Sequence, residues 1–135
     1  MSAEQLEVGQ VVATGGYDID RDGLVHYAGA SGDFNPIHYR DDVAASVGLP
    51  GVLAHGMLTM GLAVQPVIDR FGADRVLEYG VRFTRPVAVP AEGTVRLELE
   101  AKVGQLQDGE ARIDVTAKVD GQTVLGRAQV RVALR

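Results

Sequence analysis

Three runs near the C-terminus alternate apolar and polar residues with a period of two. They restrict what this chain can fold into more than any other feature. Val95, Leu97, Leu99, Ala101 and Val103 are interleaved with Arg96, Glu98, Glu100 and Lys102. Ala111, Ile113, Val115, Ala117 and Val119 are interleaved with Arg112, Asp114, Thr116 and Lys118. Val124, Gly126, Ala128, Val130 and Val132 form a third such set. Neighbouring side chains on a strand point to opposite faces, so each run predicts a strand with one buried face. Asp108-Gly109 and Asp120-Gly121 separate the runs, and Asp-Gly takes the positive φ angles of a tight hairpin. Residues 93–133 are therefore expected as an antiparallel meander. Leu77, Tyr79, Val81 and Phe83 predict a fourth strand ending near Arg85-Pro86, because proline cannot donate to a ladder. Val11 to Tyr17 is a fifth candidate.

The middle of the chain has another period. Met57, Met60, Val64, Val67 and Phe71 recur at spacings of three and four, which predicts a helical stripe. Leu58, Leu62, Ala63 and Ile68 flank it, so the helix should lie buried. Pro66 predicts a kink or local break, and Gly72 a stop. Asp20 suits the cap of an earlier helix running through Ala30, with Leu24, Tyr27 and Ala28 inward. Another helix is expected over Tyr39–Val47, closed by Gly48 and Pro50. A sheet with one apolar face and one long apolar helix imply an α+β arrangement in which the sheet wraps the helix. At 135 residues the chain suits one domain, 1–135.

Between the two early helices lies ASGDFNPIH, residues 30–38, where Gly32 and Pro36 break regular structure. Asn35 precedes proline and is pushed towards extended backbone. The turn can bring Asp33 and His38 together, and such a pair can hold one water and handle two protons. Taken alone, Asp-x4-His also reads as a polar loop in which Asp33 caps the helix expected from Tyr39. A second polar stretch, LAHGM, residues 53–57, opens the long helix. A helix N-terminus offers unpaired N–H groups and a positive dipole end, and Gly56 lets another molecule approach the backbone. Those groups suit a developing oxyanion. Gly56 and His55 are therefore candidates for contact with substrate, and the plainer readings are a structural helix-start residue for His55 and a turn or packing glycine for Gly56. His26 reads as an ordinary surface or packing histidine.

Other chemistries fit less well. There is no cysteine, so disulfides and thiolate metal sites are excluded. No histidine pair has metal-ligand spacing, and no metal or other cofactor is expected. Net charge is −5 with scattered basic residues, which argues against a nucleic-acid partner. No apolar run approaches the roughly 20 residues of a membrane span, and the first residues do not resemble a signal peptide. The cytosol is the expected compartment. Arg82 and Arg85 could meet phosphates of a carrier, though strand-edge arginines are commonly just solvated.

YAGASGDFNPIHYRDD followed by GLPGVLAHGMLTMG, within residues 27–61, resembles the MaoC-like (R)-specific enoyl hydratases and 3-hydroxyacyl-thioester dehydratases. VRFTRPVAVPAEGT, residues 81–94, resembles the same family. The wording is also similar to the catalytic subunit of two-subunit actinobacterial dehydratases. The resemblance implies a hotdog fold, with Asp33 and His38 catalytic, the Gly56 backbone as oxyanion donor and Asn35 shaping the site. Gly61 stands where some relatives carry a serine, a departure that bears on pocket width. It further implies hydration of enoyl thioesters on coenzyme A or acyl carrier protein, and a homodimer or a heterodimer with a related hotdog subunit. Thioester hydrolysis and non-catalytic acyl-thioester binding are the alternative readings.

Overall fold

The computed structural model describes residues 5–134. Strand β1 (Val11–Ile19) leads into helix α1 (Arg21–Ser31), a 3-10 turn (Pro36–His38) and helix α2 (Asp41–Ser46). The long helix α3 (Gly56–Phe71) follows, then a 3-10 turn (Ala73–Arg75) and β2 (Val76–Phe83). The chain closes with β3 (Val95–Gln107), β4 (Glu110–Val119), the two-residue β5 (Gln122–Thr123) and β6 (Leu125–Ala133). The sheet is antiparallel in the order β1-β3-β4-β6-β2, with β5 beside β4.

Alternation decides what this sheet buries. Leu97, Leu99, Ala101 and Val103 on β3, Ala111, Ile113, Val115 and Ala117 on β4, and Ala128, Val130 and Val132 on β6 form one buried face. Ala63, Val64 and Val67 of α3 complete a single core with them. The Asp-Gly pairs sit where the strands reverse, with Gly109 at φ 73 and Asp120 and Gly121 at φ 51 and 76. Asp20 caps α1 by accepting from the Gly23 amide at 2.8 Å.

Four expectations need correction. Met57 was placed on the buried stripe but is 59% exposed. The buried face centres on Thr59, Ala63, Pro66 and Val67, and Met57 lies two residues, about 200° of helical rotation, from Thr59. Pro66 does not break α3, which runs on through it; it packs where a methyl group on Gly15 would approach its Cγ to 3.1 Å. The third alternating set changes phase at Arg127, whose φ of 46 marks an extra residue in β6 opposite β2. Leu125 therefore takes the inner face, and Gly126 sits outside against Thr84 and Arg82. The helix expected over Tyr39–Val47 is shorter, because Pro36 starts a 3-10 turn that ends at His38 before α2 begins at Asp41.

Candidate active site

Gly32, at φ 78, ends α1 and turns the chain away from it. A succession of short side-chain-to-backbone bonds then replaces regular structure. Ser31 Oγ accepts from the Asp33 amide at 3.1 Å. Asp33 Oδ1 accepts from the Asn35 amide at 3.2 Å, and Asn35 Oδ1 from the Ile37 amide at 3.2 Å. Asn35, not Asp33, therefore caps the following turn, and its ψ of 125 is the extended geometry that Pro36 imposes.

A short ribbon holds the other half of the site. The amides of Ala54 and Val89 donate to Val87 and Val52 carbonyls at 2.8 Å each. Leu53 is clamped between: its amide donates to the Ile37 carbonyl at 3.1 Å, and its own carbonyl accepts from His38 Nδ1–H at 2.7 Å. That bond places the proton of neutral His38 on Nδ1 and leaves Nε2 to exchange protons. Nε2 lies 3.9 Å from Asp33 Oδ2. His38 is 9% exposed, and the Asp33 side chain is half exposed.

Of this pair His38 lines the adjoining cleft, whereas neither Asp33 nor the neighbouring His55 does. His55 is 1% exposed, and its Nε2–H donates to the Asp33 carbonyl at 3.1 Å. Its ring stacks on His38 at 3.9 Å and meets Tyr27 edge-on at 4.8 Å. Burial depresses its pKa below the ordinary imidazole value, and the neighbouring His38 adds to the effect against the bond to Asp33. Asp33, His38 and His55 offer ligand atoms within 4.8 Å of one another. One nitrogen of each ring is engaged by a carbonyl, Nδ1 of His38 by Leu53 and Nε2 of His55 by Asp33.

Helix α3 starts at Gly56, whose amide has no intrahelical acceptor. A methyl group on Gly56 would lie 3.1 Å from the Phe83 ring, so glycine lets that ring pack close to the first residue of the helix. His38, Gly56, Thr59, Phe83, Arg85 and Leu125 are among the walls of a cleft of about 340 Å³. His26 is exposed and stands apart. Asp33, Asn35, His38, His55 and Gly56 are thus one constellation. The contributions of Tyr27, the Leu53 carbonyl and Phe83 were not readable, since backbone acceptors and cross-element contacts leave no sequence pattern.

An antiparallel sheet curled on one central helix defines the hotdog class. Residues 4–123 match the family model described as "MaoC like domain", and the chain belongs to that family of dehydratases and (R)-hydratases. It is 42% identical over 65 residues to 3-hydroxyacyl-thioester dehydratase X of Mycobacterium tuberculosis, covering 48% of this chain and 22% of that protein. A solved MaoC-like dehydratase superposes with a TM-score of 0.90 at 36% identity, over 95% of this chain and 40% of that one. R-Hydratase PhaJ1 from Pseudomonas aeruginosa superposes with a TM-score of 0.80 at 28% identity, over 95% of this chain and 81% of that one. The chain thus spans about a fifth of the curated relative's length.

Proposed function

We propose that this chain catalyses the reversible addition of water to a trans-2-enoyl thioester, giving the (3R)-3-hydroxyacyl thioester. The observation that carries the reading is the 3.9 Å separation of Asp33 Oδ2 and His38 Nε2. A water oxygen roughly 2.8 Å from each spans such a gap. The pair holds one proton between its members. As the oxygen bonds to C3, Asp33 takes a proton from water, and His38 Nε2–H delivers one to C2. A proton passed from Asp33 to His38 restores the starting state. The Gly56 amide faces the thioester oxygen, where charge gathers in the enolate-like transition state. Leu53, Val87, Val124 and Leu125 provide apolar wall for the acyl chain. The carrier, coenzyme A or acyl carrier protein, lies outside a cleft this small.

Positioned acid–base groups contribute about 10²–10⁴-fold. Asp33→Asn and His38→Gln should each lower kcat by at least about 10²-fold with the melting temperature nearly unchanged. Crotonyl thioester turnover, followed as loss of enoyl absorbance, is the check. Wild-type rates in either variant would remove the assignment. Release of free thiol by the wild-type chain would instead mark it as a thioesterase.

A further inference from the structure

We propose that His55 is a positioning residue for the acid–base pair: one edge of its ring fixes the Asp33 backbone, and its face fixes the His38 ring. The inference rests on the hydration reading above. Asp33 sits in a segment with neither helical nor sheet bonding, so its carboxylate is placed by short local bonds alone. Its carbonyl has one long-range partner, His55 Nε2–H at 3.1 Å, across 22 residues of sequence. The same ring stacks on His38 with an interplanar angle of 21°. A single side chain, itself only 1% exposed, therefore touches both members of the pair.

The arrangement also explains an unfavourable feature. Because Nε2 carries the proton, His55 Nδ1 is a bare acceptor, buried and without a hydrogen-bond partner among the described residues. A buried acceptor without a donor destabilises the folded state. An apolar ring of similar shape would avoid that loss and keep the stacking. A histidine chosen for stability alone would not be expected here, whereas one chosen for its Nε2–H would. The titratable groups facing it are Asp33 and His38 from the loop and Tyr27 from α1.

The test uses two variants and one measurement on the wild-type chain. His55→Phe keeps the ring stack and loses the donor. We expect it to melt at or above the wild-type temperature, with kcat down on the order of 10²-fold and KM within about twofold. His55→Gln can place an amide N–H near the Nε2 position and should recover part of kcat. Unchanged kcat in His55→Phe, or kcat losses that simply follow melting temperature in both variants, would overturn the proposal. Nitrogen-15 spectra of wild-type histidines decide the matter even if a variant fails to fold. A neutral His55 protonated on Nε2 at the pH of activity is required, and a charged ring or an Nδ1–H tautomer refutes it. A wild-type chain without hydratase activity would defeat the functional reading while leaving this tautomer in place, so the two failures are distinguishable.

Discussion

His38 illustrates how one residue becomes specific. Its Nδ1–H is held by the Leu53 carbonyl at 2.7 Å, so Nε2 alone is left for proton exchange. The acid, the imidazole and the Asn-Pro between them were legible in the sequence, because turn residues and proton-handling side chains carry their own chemistry. The use of His55 was not, because its partners are a backbone carbonyl 22 residues away and another ring. His55 also affects stability with pH. Its folded-state pKa is lowered from 6.5, so below that value the unfolded chain binds a proton that the folded chain refuses. Stability should therefore fall as pH drops through and below this ordinary value, and His55→Phe should flatten that part of the curve. Denaturant midpoints on either side of it are the check. Gly56 has a steric reason to be glycine: Gly56→Ala would press a methyl group against Phe83, 3.1 Å away. We expect that variant to fold with reduced kcat/KM and to regain activity when combined with Phe83→Leu. An alanine enzyme already at wild-type rate would show the ring yields freely.

Among the elements, period located each longer strand and the long helix, but it did not fix which α3 residues are buried or the phase of β6. β3 and β4 follow their alternation, whereas β6 changes phase at Arg127. One residue at positive φ has no apolar signature, so period counting cannot detect it. The cap of α1 was readable from Asp20 and has a measurable value. Asp20→Ala removes the 2.8 Å bond to the Gly23 amide and should cost about 1 kcal/mol in chemical unfolding. Since α1 leads directly into the Asp33 loop, an unchanged stability would mean that the loop's own bonds hold the helix end. Tyr79 ties β2 to α3 through a 2.7 Å bond from its hydroxyl to the Met60 carbonyl. Burial pushes its pKa up to about 12 from 10. The unfolded chain thus releases the proton first as pH rises, and stability should decline from pH 10 towards 12. Tyr79→Phe should lack that decline, which alkaline denaturation monitored by circular dichroism can show.

At the scale of the whole molecule, the sheet ends in two open edges, β1 and β2. Leu77 and Phe83 on β2 are 47% and 56% exposed, and Met57 on α3 is 59% exposed. Open edges and exposed apolar side chains favour pairing with another chain. Sizing at working concentration should give at least twice the mass of one chain, and a fully active monomer would remove this expectation. Among the described residues, no helix is long and apolar enough to cross a membrane. The amino-acid sequence by itself determined the strand alternation, the long apolar helix and the identity of the acid–histidine pair, because period and turn chemistry act over a few neighbouring residues. Only the tertiary structure decided which flank of α3 is buried and where the phase of β6 shifts. It also brought the Leu53 carbonyl and the His55 ring against the pair, and Tyr27 against His55, from separate elements. Those features depend on contacts between distant segments, which exist only once the chain has packed.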